Sequence, residues 1–130
     1  MRLMLFATAL AALVGSGALA AETAKVTPLV AQGLSDVPGK EAMLLMVEYA
    51  PGAVDPVHRH DAHVFLYVLE GSVVMQVEGK APVTLGPGQT FTEGPGDVHV
   101  VGRNASATDG AKFLAFFVKD QGAPVLIPME

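Results

Sequence analysis

Glycine and proline break this chain at short intervals, and that punctuation limits what it can fold into. Turn formers stand at Pro51-Gly52, Glu70-Gly71, Glu78-Gly79, Gly86-Pro87-Gly88, Gly94-Pro95-Gly96 and Asp109-Gly110. Between them lie short apolar runs: Ala42–Tyr49, Val64–Leu69, Val73–Val77, Pro82–Leu85, Gln89–Thr92, Val98–Val101, Lys112–Val118 and Val125–Ile127. Short runs rich in Val, Leu and Phe with turn residues between them are the pattern of an all-β sandwich or barrel. No segment sustains an apolar 3.6-residue period with caps. The stretch Gly33–Lys40 is the one place for a short helix, but Gly33, Pro38 and Gly39 make it a loop. Glu70-Gly71 and Glu78-Gly79-Lys80 read as hairpin connections, so the strands follow one another as in a double-sheet jelly roll. No repeat, low-complexity tract or linker divides the chain.

The amino terminus is different in kind. Arg2 precedes an apolar run from Leu3 to Val14, and small residues follow to Ala18-Leu19-Ala20. A basic start, an apolar middle and a small-x-small end are the parts of a secretory signal peptide, here with cleavage expected after Ala20. A retained anchor is the alternative, but the run is short of the roughly 20 residues that a span needs. The expected organisation is a signal peptide over 1–20, an N-terminal segment over 21–41 and one barrel domain over 42–127. The expected location is the periplasm or the outside of the cell.

Charge and cysteine content exclude several functions. The whole chain has 8 basic and 13 acidic residues, and signal cleavage removes Arg2. No Lys/Arg cluster occurs, so neither a nucleic-acid backbone nor an anionic membrane surface is an expected partner. There is no cysteine, so the core stabilises the fold without disulfides and any metal is held by nitrogen and oxygen.

The four histidines occupy two places: His58, His60 and His63 in one cluster, and His99 alone. In a strand, residues i and i+2 face the same side, so His58 and His60 present two imidazoles together. Neutral imidazole is a ligand for zinc, iron, copper and nickel.

The surroundings of these histidines resemble the two motifs of the cupin superfamily. Gly52, His58, His60 and Gly71 match the first motif, and Gly88, Gly96 and His99 match the second. The resemblance runs from about Ala42 to Val118. It implies a double-stranded β-helix, the jelly-roll barrel of the cupins, holding one divalent metal ion (Fe, Zn, Mn, Ni or Cu) through His58, His60 and His99. Three positions depart from the family pattern. Val64 stands where the family has a glutamate ligand, Gly94 where it has proline, and Arg103 where it has asparagine, with Asn104 one residue later. Loss of the glutamate leaves a three-histidine site. His63 and Glu93 are candidate fourth members. Strict alternation points His63 outward, whereas a bulge at Asp61-Ala62 would turn it in. Glu93 is a ligand, a proton acceptor or a solvated loop carboxylate.

Three neutral ligands leave the ion's charge near +2, which suits an anionic bidentate ligand such as an enolate, catecholate, hydroxy acid or thiolate. Three-histidine members of the superfamily include dioxygenases, so the resemblance implies a candidate dioxygenase on a small chelating substrate. A non-catalytic module that binds a small molecule or metal is the alternative, and a structural cupin with vestigial histidines is a third. Val64, Leu66 and Val68 are expected on the inward face with His60, and Phe91 and Phe113 at the barrel ends. Tyr49 and Tyr67 each offer a proton or hydrogen bond, most simply with the hydroxyl at the barrel mouth. No serine sits in a nucleophile-elbow setting, and Gly86–Gly88 lacks the Lys-Ser/Thr of a phosphate loop. The strand over Ala111–Val118 has aromatics on both faces, so it is either a homodimer surface or fully buried.

Overall fold

A computed structural model describes residues 24–130; the expected signal peptide lies outside the described residues. The chain forms β1 (Lys25–Gly33), β2 (Lys40–Tyr49), β3 (His58–Arg59), β4 (Ala62–Glu70), β5 (Val73–Val77), β6 (Val83–Leu85), β7 (Thr90–Glu93), β8 (Val98–Asn104), β9 (Ala111–Asp120) and β10 (Ile127–Pro128), with no helix among the described residues. They build two five-stranded antiparallel sheets, ordered β1-β2-β9-β4-β7 and β10-β3-β8-β5-β6. The architecture is a double-stranded β-helix.

The period-two pattern sets the inner faces. In β4, Ala62, Val64, Leu66 and Val68 are buried, while His63, Phe65 and Tyr67 are exposed. In β9, Ala111, Phe113, Ala115 and Phe117 point into the core. Leu45, Val47 and Tyr49 of β2 complete that wall. Each large apolar side chain buried this way stabilises the fold by roughly 1.5–3 kcal/mol. β9 lies at the centre of its sheet between β2 and β4, and only its inner face is buried; Phe116 on the outer face stays 37% exposed. The strand is therefore neither an edge nor buried on both sides.

Two local readings need correction. Glu78-Gly79 does join a hairpin, since β5 pairs with β6. Glu70-Gly71 does not, because β4 belongs to the first sheet and β5 to the second. Gly71 makes that crossing in a left-handed conformation (φ 70°), where an added Cβ would lie 2.9 Å from Ala111 Cα. The second correction is β1, which lies in a segment with no evident strand pattern. Pro28 and a register shift between Pro28 and Val30 interrupt its alternation, and all nine of its residues are exposed, so no buried face marked it.

Polar groups fix the ends of the barrel. Asn104 is buried; its Nδ2 donates to the carbonyls of Ala50 and Asp109, and its Oδ1 accepts from Ser106 N. Its displacement from the family position thus serves a structural role. Lys119, 2% exposed, donates to Glu41 Oε1 at 2.5 Å and to the carbonyls of Asp120 and Ala123. That lysine ties the start of the carboxyl-terminal segment, at Ala123, to Glu41 of β2.

Candidate metal centre

The β3–β8 ladder places His58 directly opposite His99, and His60 follows on the same side of the chain. All three are buried. The second ring nitrogens fix the tautomers of two of them. His58 Nδ1 donates to Pro56 O at 2.7 Å, and His60 Nδ1 donates to Val125 O in the carboxyl-terminal segment. A carbonyl only accepts, so both rings carry their proton on Nδ1 and turn an Nε2 lone pair inward. Those two Nε2 atoms are 3.2 Å apart, and His99 Nδ1 lies 3.3 Å from His58 Nε2.

Two neutral imidazoles that both donate through Nδ1 have no hydrogen left to place between their Nε2 atoms. Their facing lone pairs repel unless an electron-poor centre sits between them. Ligand nitrogens at about 2.0–2.1 Å from one ion lie about 3.0–3.4 Å from each other, which is the spacing found. Burial holds the proton affinity of His60 and His99 down: His99 falls to about 4, by burial first and then by His58 and His60. His60 is also lowered, mainly by burial, against the opposing effect of Val125 O. Neutral rings at pH 7 are the form that ligates metal.

Glu93 stands beside them. Residue Val64 of β4 pairs with Glu93 of β7, and both side chains point inward. Glu93 Oε1 is 3.2 Å from His99 Nδ1 and Oε2 is 3.7 Å from His60 Nε2. The Oε1 contact lacks hydrogen-bond alignment, and Oε1 and His99 Nε2 are both buried without a hydrogen-bond partner. Burial, with Asp97 adding to it, raises the Glu93 carboxyl to about 7. A buried, unpartnered carboxylate is costly unless a cation compensates it. Three imidazole nitrogens with an adjoining carboxylate oxygen fit a divalent transition metal, and sulfur plays no part.

The other sequence candidates lie elsewhere. His63 is exposed on the outer face of β4, with no bulge to turn it in. Tyr67 is likewise exposed there, 46%. Tyr49 is not at the mouth but buried in the core, 2% exposed, and its hydroxyl donates to Asp55 Oδ2. Phe113 is buried in the core, and the half-buried Phe91 stacks on His99 at 6.3 Å. Asp55 was not evident in the sequence. A signal existed in Tyr49, which alternates in phase with the buried Leu45 and Val47, and a buried tyrosine requires a partner. Burial raises both Tyr49 and Asp55 above their ordinary values.

The histidines, Glu93, Tyr49 and Asp55 line a cavity of about 400 Å³. Leu45, Val64, Leu66, Met75, Phe113 and Ala115 supply much of the rest, with Val26 and Leu126 also lining it.

The cupin domain family profile matches residues 45–117, more than half of the chain, and the chain belongs to that family. No curated protein matches its sequence significantly. Solved structures match its fold. DMSP lyase DddQ from Ruegeria pomeroyi DSS-3 is 22% identical with a TM-score of 0.59, over 68% of this chain and 43% of that one. The polyketide cyclase RemF from Streptomyces resistomycificus is 20% identical with a TM-score of 0.61, over 85% and 73%. Oxalate oxidase in complex with the substrate analogue glycolate is 22% identical with a TM-score of 0.61, over 80% and 54%. The chain thus spans less than half of the lyase and little more than half of the oxidase. Similarity at this level is a likeness of fold.

Proposed function

We propose that this cupin holds one divalent transition metal through His58, His60 and His99, with Glu93 as the adjoining carboxylate, and that the ion receives a small organic ligand from the cavity. One observation carries the reading: the Nε2 lone pairs of His58 and His60 face each other at 3.2 Å while both Nδ1 protons are committed to carbonyls. Val64 has removed the family glutamate from β4, and Glu93 offers a carboxylate from the neighbouring strand at the same rung of the ladder.

The chemistry we assign is that of a dioxygenase acting on a chelating substrate. A redox-active ion such as iron would supply the oxygen chemistry, and zinc in its place only Lewis acidity. The protein's own residues do the rest. Pro56 O and Val125 O orient the two rings, as carbonyl partners of metal-ligating histidines commonly do. Phe117 packs edge-on against His60 at 5.1 Å, and the aliphatic wall offers an apolar surface to the body of a ligand. The matched folds belong to a lyase, a cyclase and an oxidase, so the fold leaves the reaction to the site. We further propose that the protein is exported, with cleavage after Ala20, and works as a single domain or as a homodimer.

The test is metal content in protein purified without a metal-binding tag, followed by oxygen uptake with diketones, catechols and thiols. Stoichiometric metal with substrate-dependent oxygen uptake supports the enzyme. Stoichiometric metal without uptake supports a binding module instead.

A further inference from the structure

The cavity wall has an unusual charge character for a site that would grip an anion. None of the side chains lining it among the described residues is Lys or Arg. Arg59, between His58 and His60 in the sequence, and Lys119, two residues beyond Phe117, are occupied elsewhere. Arg59 pairs with Asp61 at the surface, and Lys119 is held by Glu41 and two carbonyls. Beside the histidines the wall carries two acidic groups, Glu93 and Asp55. Tyr49 adds no free donor, since its hydroxyl proton goes to Asp55 Oδ2. Its oxygen lone pairs remain available as acceptors.

We infer, building on the metal-centre reading, that this cavity selects a bidentate oxygen ligand that carries its own O–H on an apolar body, and discriminates against carboxylate anions, with the Tyr49–Asp55 pair reading the head group. Two acidic groups against one divalent ion leave the polar wall near neutral. A dicarboxylate entering it gains little attraction and meets Asp55 without a counter-charge. A buried carboxylate left without donors is strongly disfavoured. A catechol or enol brings the hydrogens that Asp55 and the Tyr49 oxygen can accept, and its apolar part fills the aliphatic remainder of the cavity. Discrimination of this kind is large when a buried polar group would otherwise go unpaired. Asp55 contacts the ligand directly here, and its backbone is itself fixed, because Asp55 N donates to Gly102 O at 2.8 Å.

The experiment compares two probes with one apolar body, 4-tert-butylcatechol and 4-tert-butylbenzoate. Each is titrated calorimetrically into the zinc-loaded protein and into the metal-free protein, with zinc content measured first. The expected result is tighter binding of the catechol by at least about tenfold when zinc is present, with the same order of preference in the metal-free protein. Asp55→Asn keeps the shape and gives the wall an amide donor. It should narrow the preference by about fivefold or more and leave zinc content unchanged. Benzoate binding as tightly as catechol in the wild type would overturn the inference. So would an unchanged preference in Asp55→Asn. Failure to hold zinc, with the catechol still preferred by the metal-free protein, counts against the metal centre alone and leaves the acceptor wall supported.

Discussion

Val64 and Glu93 face each other across the β4–β7 ladder, one apolar and one acidic, with both side chains inside the barrel. The family's glutamate is missing from β4, yet a carboxylate still reaches the histidines from β7. Moving the carboxylate back should therefore largely restore what its removal takes away. Glu93→Gln is expected to weaken zinc binding about 10- to 100-fold, and Val64→Glu combined with Glu93→Gln to recover most of that loss. Competition with a chelator of known affinity reads both. A double variant no better than Glu93→Gln alone would show that position 64 does not face the ion.

Glu93 also sets a pH dependence in the metal-free protein. Its carboxyl is raised from 4.5 to about 7, so its contribution to stability is present below 4.5 and is lost as the pH rises through 7. His99 acts in the opposite sense. Lowered from 6.5 to about 4, it contributes stability above 6.5 that is lost as the pH falls through 4. In the wild type the two slopes oppose each other between 4.5 and 6.5. In Glu93→Gln the opposing Glu93 slope is gone while the lowered His60 adds to the slope of His99, so stability should climb more steeply with pH over that window than in the wild type. At pH 8 the metal-free variant should exceed the wild type by up to about 3 kcal/mol. Urea denaturation across the range measures both.

Much of the fold was legible because glycine carries geometric information. Gly71, Gly88 and Gly96 all adopt positive φ, and each marks a turn between apolar runs. Seven of the strands follow from those runs, though Gly71 turns between sheets rather than within one. β1 escaped because an exposed strand with Pro28 and a register shift has neither alternation nor burial to betray it. The three histidines were legible from residue type and spacing. Glu93 remained one of several readings, because only the pairing register tells an inward carboxylate from a loop one. Asp55 was hidden altogether, since its role comes from a tyrosine six residues earlier that folds back onto it.

Gly71 provides a direct check on the crossing between sheets. Gly71→Ala meets Ala111 at 2.9 Å in a left-handed backbone conformation. Neither strain has a soft neighbour to absorb it. A loss of about 3 kcal/mol or more is expected, against about 1 kcal/mol for alanine at Gly79, whose added Cβ meets nothing within 4 Å. Thermal denaturation of the two variants side by side measures the difference.

The carboxyl-terminal segment orients His60 through Val125 O and is itself held by Lys119 through Ala123 O. Lys119→Met removes the cation and leaves Glu41 at the barrel end. A measurable loss of stability is expected, smaller than for a fully buried pair because Glu41 retains some exposure. Truncation after Asp120 should go further and reduce metal affinity at least about tenfold, since His60 then lacks its carbonyl partner. An affinity unchanged by truncation would mean that Val125 has no part in setting the His60 ring.

Metal stoichiometry tests the central claim most directly. The protein, purified untagged and reconstituted with zinc or iron(II), should hold about one ion per chain. His58→Ala and His99→Ala should each lose it while keeping the β-sheet circular dichroism of the wild type. A wild type that holds less than about a tenth of an ion per chain after reconstitution, or alanine variants that retain a full complement, would contradict the three-histidine centre.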